Sequence, residues 1–159
     1  MRDPRFIYWD ANVFISYLNS IPDRAPVLEA ILEAVESSKT DRIVTSVISK
    51  VEVVWMAQEK LNRALDRDEE ARIDDLWSNE EVIELIDFND EIAHIARKLM
   101  REGMARGWKL RTNDAIHLAS AQWVGAIELQ TYDLDDMQKF SQLMGLPICN
   151  PHAAQLKLF

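Results

Sequence analysis

The chain predicts an α/β fold, a three-layer α/β/α sandwich with a central, mostly parallel sheet of four to five strands. Three observations carry that expectation. Short apolar runs rich in β-formers alternate with segments of helical spacing, the pattern of strands joined by helical crossovers. Several runs are apolar on consecutive residues, as strands covered on both faces are. The chain has 159 residues, 48% of them hydrophobic, with only 4 Gly and 5 Pro, so it is long enough to bury a core and too poor in breakers for a disordered or fibrous class. A single domain over residues 1–159 is expected, with no repeats, linkers or low-complexity segments.

Phe6-Ile7-Tyr8-Trp9 is the first strand, ending at Asp10. Val13, Phe14, Tyr17 and Leu18 have helical spacing, and the breakers between Asn19 and Pro26 separate them from a second helix carrying Val27, Leu28, Ile31, Leu32 and Val35. Asp41 to Thr45 is the second strand. Ser46 then reads as the N-cap of a long helix through Val47, Ile48, Val51, Val54, Trp55 and Leu61, with Glu52 at the edge of its apolar face. The charged stretch from Leu65 to Glu81 is helical around Ile73 and Leu76-Trp77, and Val82 to Ile86 is a third strand despite its internal Glu84. Asn89 or Asp90 caps a helix through Ile92, Ile95, Ala96, Leu99 and Met100, which Gly103 is expected to end. After a basic loop, Asp114 opens a helix whose Ala115, Ala119, Ser120 and Ala121 permit close packing, and Gly125 terminates it. Ile127 to Thr131 is the fourth strand; Asp133, a short helix from Asp136 to Leu143 and a last strand at Pro147 to Cys149 complete the series.

Bulk properties narrow the function. The net charge of −9 does not suit a protein that grips nucleic acid by phosphate contacts alone; such a role needs metals and local basic residues. A single cysteine, Cys149, excludes an internal disulfide framework and a Cys-based zinc site, reads as a buried thiol, and fits a cytoplasmic protein. No apolar run approaches the roughly 18 to 20 residues of a membrane span, and the opening Met-Arg-Asp-Pro does not read as a signal peptide.

Four acids stand out by position: Asp10, Glu52, Asp114 and Asp133 each come at or shortly after a strand-like run. In an open α/β sheet, ligands bind outside the carboxyl ends of the strands, so acids from distant segments can converge there. Each like-charged pair at ~4 Å and an effective dielectric near 20 costs on the order of 4 kcal/mol, so the cluster demands protons, basic partners or metal cations. Oxygen-only ligands favour Mg²⁺ or Mn²⁺. Singly, Asp10 and Asp114 are explained as helix caps and Asp133 as a turn residue, with Asp135 or Asp136 capping the helix that follows. Glu52, between Val51 and Val53, has no such ready explanation, because an unpaired carboxylate there is costly to desolvate.

These residues resemble the PIN domain. The segments that carry the resemblance are Tyr8-Trp9-Asp10-Ala11-Asn12-Val13-Phe14, Thr45-Ser46-Val47-Ile48 leading to Glu52, Thr112-Asn113-Asp114-Ala115-Ile116-His117-Leu118-Ala119-Ser120-Ala121, and Thr131-Tyr132-Asp133. Their order and spacing match over nearly the whole chain, and the nearest likeness is to VapC-type toxin ribonucleases of type II toxin–antitoxin pairs. The resemblance implies a PIN-like fold and a metal-dependent endoribonuclease in which Asp10, Glu52, Asp114 and Asp133 hold one or two Mg²⁺ or Mn²⁺ ions. It also implies Asn12 and Thr131 as supporting residues, products with a 5′-phosphate and a 3′-hydroxyl, a small antitoxin partner and a homodimer. Two alternatives stay open: a PIN-like module that binds RNA or protein without cutting, and a PIN nuclease with no toxin role.

Arg106, Lys109 and Arg111 are candidate RNA phosphate contacts and Trp108 a candidate base-stacking residue, with surface solubility as the competing explanation for the charges; Lys50 is a weaker candidate. His117, three residues after Asp114, reads as a satisfied packing histidine, since Mg²⁺ and Mn²⁺ prefer oxygen. Trp55, Met56, Leu61 and Trp77 exceed what one helix face needs, so part of this group is expected at a partner or dimer surface, with core packing the default for each. Other α/β enzyme classes fit poorly. A haloacid-dehalogenase-like phosphatase wants a second Asp where Asn12 stands, a receiver domain wants a Lys near Ile148, and the four glycines form no phosphate-cradling loop.

Overall fold

Five strands form one all-parallel sheet in the order β3-β2-β1-β4-β5 in the computed structural model, which describes residues 3–153. The expectations that touch Met1, Arg2 and residues 154–159 lie outside the described residues. In chain order the elements are β1 (Phe6–Trp9), α1 (Ala11–Leu18), α2 (Ala25–Ser38), β2 (Arg42–Ser46), α3 (Ser49–Glu52), α4 (Ala57–Asn62) and α5 (Arg67–Ser78). β3 (Ile83–Ile86), α6 (Asp90–Ala105), α7 (Thr112–Val124), β4 (Glu128–Gln130), α8 (Leu134–Met137), α9 (Phe140–Met144) and β5 (Ile148–Cys149) follow.

The three layers arise from the strand pleat, which sends alternate side chains to opposite faces. Ile7, Trp9 and Ile43 join the core under α1, α2 and α5, with Phe14, Leu28, Ile31 and Trp77. Tyr8, Val44, Leu129 and Ile148 join the opposite core under α6 and α7, with Ile92, Leu99, Leu118 and Phe140. β1 is central and buried on both faces, which is why its sequence is continuously apolar. β3 is an edge strand and leaves Glu84 exposed, so the charge that disturbs its pattern costs little. Arg5 clamps the start of the sheet: its guanidinium donates to Asp41 at 3.1 and 2.7 Å. Burial alone would raise the Asp41 pKa, but those two bonds hold it below the usual carboxylate range.

The chain winds from β1 to one side through β2 and β3, then returns past β1 to lay down β4 and β5. This reversal between β1 and β4 opens a crevice at their carboxyl ends, the location where doubly wound sheets bind ligands. Trp9 and Gln130 are register partners, so the residues that follow them, Asp10 and Thr131, emerge side by side.

The helix expected from Asp136 to Leu143 is split into α8 and α9, and two further sequence expectations fail for identifiable reasons. The long helix after Ser46 is broken. Ser46 ends β2 and its hydroxyl accepts from the Ile48 N–H in a tight turn, α3 is one short turn, and the chain passes through Val53 to an extended Met56 before α4 begins. Glu59 secures the restart by accepting from the Met56 and Asp66 N–H groups, both at 3.0 Å. Val53 and Met56 are buried whereas Val51, Val54, Trp55 and Leu61 are exposed, so no single helical face accounts for the run. Trp77, by contrast, packs in the core against Phe14. Gly103 does not end α6; it is a buried contact inside it, and the turn comes at Gly107, whose φ of +71° suits glycine.

No helix among the described residues is long and apolar enough to cross a membrane. At Gly103 an added Cβ would stand 3.0 Å from the Phe140 ring and 3.3 Å from the Trp108 carbonyl oxygen. Gly103→Val is therefore expected to destabilise the fold by about 1–3 kcal/mol, because α6, α9 and the loop between α6 and α7 have no slack to admit the branch. Denaturant melts check this; a midpoint equal to wild type would show that the contact is soft.

Candidate metal and nuclease site

The carboxyl edge of the sheet gathers acids from four segments. Asp10 follows β1, Glu52 is the last residue of α3, Asp114 lies in the first turn of α7, and Asp133 precedes α8. Asp114 corrects one expectation, since it follows the loop from α6 rather than a strand and is brought to the edge by the packing of α7.

Asp10 is the most deeply set, at 3% exposure. It occupies the N-cap position of α1 yet its side chain caps nothing. Its Oδ2 instead accepts from the Thr131 hydroxyl at 2.6 Å and from Asn12 Nδ2 at 3.2 Å. Asn12 ties the strand ends together, donating to Thr131 Oγ1 at 3.2 Å and accepting from the Tyr132 N–H at 3.1 Å. Thr131 Oγ1 also accepts from the Asp133 N–H at 3.0 Å, so one hydroxyl holds Asp10 and orients the turn that carries Asp133. Asp133 likewise stands at an N-cap without capping. The cap explanation for Asp10 is thus not realised.

Glu52 is less isolated than its sequence neighbours suggest. It is 24% exposed at the side chain, and its Oε1 meets His117 Nε2 at 2.6 Å. His117 is buried, and its Nδ1 meets the Tyr8 hydroxyl at 2.6 Å, while the Ser46 N–H donates to that same hydroxyl at 2.9 Å. With the hydroxyl accepting from Ser46, the consistent assignment has Tyr8 donating to Nδ1 and His117 Nε2–H donating to Glu52. His117 is therefore satisfied, as a packing histidine should be, and it also points Glu52 toward the acidic edge.

Asp136 joins the cluster unforeseen: carboxylate oxygens of Asp114, Asp133 and Asp136 lie within 4.8 Å of one another. The sequence did contain the signal, because Asp133 and Asp136 are three residues apart at the start of a short helix, a spacing that shares one side. Asp10 and Glu52 stand outside this compact group but act on it electrostatically. Burial, opposed by His117 and Thr131 and reinforced by the charges of Asp114 and Glu52, pushes the Asp10 carboxyl up to about 7. Burial and the charge of Asp133 raise Asp114 as well.

Two carboxylate oxygens, Asp10 Oδ1 and Asp114 Oδ2, are buried without a hydrogen-bond partner among the described residues. Most buried polar atoms are paired, and an unpaired carboxylate oxygen is costly. Hard oxygen donors, repelling charges and orphaned lone pairs together are what Mg²⁺ or Mn²⁺ requires of a protein, so the residues fit that ion.

The basic residues divide. Arg111 precedes Asp114 at the N-cap of α7, and its charge lowers the Asp114 pKa against the rise from burial and Asp133. Lys109 and Lys50 are exposed. Arg106 lies over the Trp108 ring and faces Glu102 at 4.0 Å, and Trp108 packs edge-on against Phe140, so that ring is engaged within the protein. A cation not singled out in the sequence, Arg24, stacks 3.9 Å above Tyr132, the residue between Thr131 and Asp133.

A family model described as the PIN domain matches residues 7–143. No curated protein sequence matches significantly. Among solved structures, the chain is similar to VapBC2 from Rickettsia felis bound to a DNA fragment from its promoter, at TM-score 0.69 and 20% identity over 91% of this chain and 98% of that chain. It is also similar to VapBC-1 from nontypeable Haemophilus influenzae, at TM-score 0.62 and 18% identity over 91% and 97%. A third is VapC20 of Mycobacterium tuberculosis, a Sarcin-Ricin loop cleaving toxin, at TM-score 0.60 and 17% identity over 84% and 94%.

The raised Asp10 pKa sets a pH dependence. Its folded value, about 7, exceeds the ordinary 3.8, so on raising pH the unfolded chain loses this proton first; the group's stabilising contribution is complete below about pH 4 and is lost as pH climbs through 7. In chelator, wild type is expected to lose thermal stability relative to Asp10→Asn between about pH 4 and pH 7. Parallel melting profiles for the two proteins across that range would rule this out.

Proposed function

Because the chain belongs to the PIN domain family, we infer that it is a Mg²⁺- or Mn²⁺-dependent endoribonuclease and the toxin of a type II toxin–antitoxin pair. The observation that carries the reading is the pair of buried, unpartnered oxygens Asp10 Oδ1 and Asp114 Oδ2 at the switch point of the sheet. A structural ion pair would fill such lone pairs with Lys or Arg; a metal-dependent site leaves them available.

Asp10, Glu52, Asp114 and Asp133 are the proposed metal-holding and catalytic residues, and Asp136 is added to them by its proximity to Asp114 and Asp133. A bound cation supplies charge neutralisation at the scissile phosphate and activates water for attack. Asp10 contributes a carboxylate whose direction Thr131 and Asn12 set; these two are the proposed supporting residues. His117 is a positioning residue that keeps Glu52 aimed at the edge. Arg111 is the proposed phosphate contact nearest the acids, with Arg106 and Lys109 further along the same loop.

The partner proposals rest on exposed apolar surface. Val51, Val54, Trp55, Leu61 and Leu65 are all exposed around α3 and α4, more than scattered surface residues explain. An antitoxin and a second copy of this chain are the proposed occupants of such surface; solved structures of similar fold include a toxin-antitoxin complex from Klebsiella pneumoniae. An RNA substrate and such a partner fit a cytoplasmic protein.

Purified protein is expected to cut single-stranded regions of cellular RNA with Mg²⁺ or Mn²⁺ and to stop in chelator. Asp10→Asn and Asp114→Asn should abolish cutting while circular dichroism stays unchanged; equal cleavage by the folded variants would reject this site. His117→Ala removes the support of Glu52 and the acceptor of the Tyr8 hydroxyl without removing a carboxylate, so a smaller loss of about 10- to 100-fold is expected, partly recovered by excess metal. A loss that no metal concentration relieves would show that His117 acts in some other way.

A further inference from the structure

A second cluster, sharing no residue with the acidic one, lies where β4 and β5 meet. Glu128, Cys149 and His152 bring a carboxylate oxygen, a thiol sulfur and an imidazole nitrogen within 4.8 Å of one another. His152 Nε2 is 3.2 Å from Glu128 Oε1, and the Cys149 thiol donates to Glu128 Oε2 at 3.8 Å. The spacing is close to what a cation needs: around tetrahedral Zn²⁺, with bonds of roughly 2.0 to 2.3 Å, ligand atoms stand about 3.3 to 3.6 Å apart.

The surroundings are built rather than incidental. Glu128 is 2% exposed, and among the described residues no Lys or Arg forms an ion pair with it. A buried carboxylate without a Lys or Arg partner is costly. Gln130 buttresses the group: its Nε2 donates to Glu128 Oε1 at 2.7 Å and to the His152 carbonyl at 2.9 Å, while its Oε1 accepts from the Trp9 indole at 2.8 Å. The carboxylate orientation is thereby set from β1, and the backbone of His152 is held against β4. Mixed sulfur, nitrogen and oxygen donors favour a borderline-soft cation over Mg²⁺.

We propose that Glu128, Cys149 and His152 form a second cation site, of the zinc class, and that it ties the chain after β5 to β4. The sequence argued against cysteine-based zinc binding because it counted cysteines; the fold supplies the other ligands from separate segments. On loading, the thiol proton, held up to about 12 by burial and Glu128 in the metal-free protein, leaves to solvent. His152 binds as the neutral ring and Glu128 as the carboxylate. Because β4 runs on into Thr131, the clamp stiffens the strand that holds Asp10, without itself belonging to the nuclease site.

Cobalt(II), titrated into the metal-free full chain as a spectroscopic substitute for zinc, tests this. The expected result is a thiolate-to-cobalt charge-transfer absorption that saturates at one ion per chain, is displaced by Zn²⁺, and persists in Asp10→Asn and Asp114→Asn. It should vanish in Cys149→Ser and need at least about tenfold more cobalt in His152→Ala, whose side chain is partly exposed so that the fold should survive. RNA cleavage by Cys149→Ser should remain, which separates this site from the nuclease reading. No thiolate absorption in wild type, or an unchanged titration in folded His152→Ala, would overturn the proposal.

Discussion

Burying Asp10 at the meeting point of β1 and β4 is the constraint on which the site depends. A carboxylate at 3% exposure, with Asp114 and Glu52 close enough to raise its pKa, is unfavourable unless its neighbours hold it rigidly. Thr131 and Asn12 do so, and through them the same few hydrogen bonds join the carboxyl ends of two strands and orient the turn to Asp133. The cost of the charge and the geometry of the site are one arrangement. Stability is given up locally where a site requires it, and the two apolar cores on either face of the sheet offset that loss.

A second set of bonds performs the corresponding task for Glu52. Ser46, Tyr8, His117 and Glu52 form a continuous chain of hydrogen bonds from the end of β2, through a buried β1 side chain, to α7 and back to α3. Tyr8 and Trp9 are adjacent on β1 and face opposite layers, so one strand supplies the support for Glu52 on one face and, through the Trp9 indole and Gln130, the support for Glu128 on the other. The central strand thus organises both clusters of ligand-type residues. Its uninterrupted apolar sequence conceals two polar handles, a phenol and an indole N–H, each buried and each bonded.

Much of the architecture was legible in the chain because local patterns encode it. All five strands, the helix around Leu76-Trp77 and the end of α7 at Gly125 lie within a residue or two of where periodicity and breakers indicate. The break between α3 and α4 was not legible, because it depends on which valines the rest of the protein covers and on Glu59 reaching back to the Met56 N–H. Gly103 misled for a similar reason. A glycine near a helix end reads as a stop, whereas here the missing Cβ makes room for Phe140 from a distant helix.

For the site, the order and spacing of Asp10, Glu52, Asp114 and Asp133 pointed from sequence alone to one acidic edge, since strand ends in a parallel sheet share a side. Tertiary structure decided the rest. It made Asp10, dismissible in sequence as a cap, the most buried of these four acids, and it gave Glu52, the acid with no ready explanation in sequence, a histidine partner. It added Asp136 to Asp114 and Asp133, and it assembled Glu128, Cys149 and His152 from separate segments. The division has a physical cause: strand, helix and turn preferences act over a few residues and survive in the sequence, whereas burial, pairing and desolvation are properties of neighbours that only folding brings into contact.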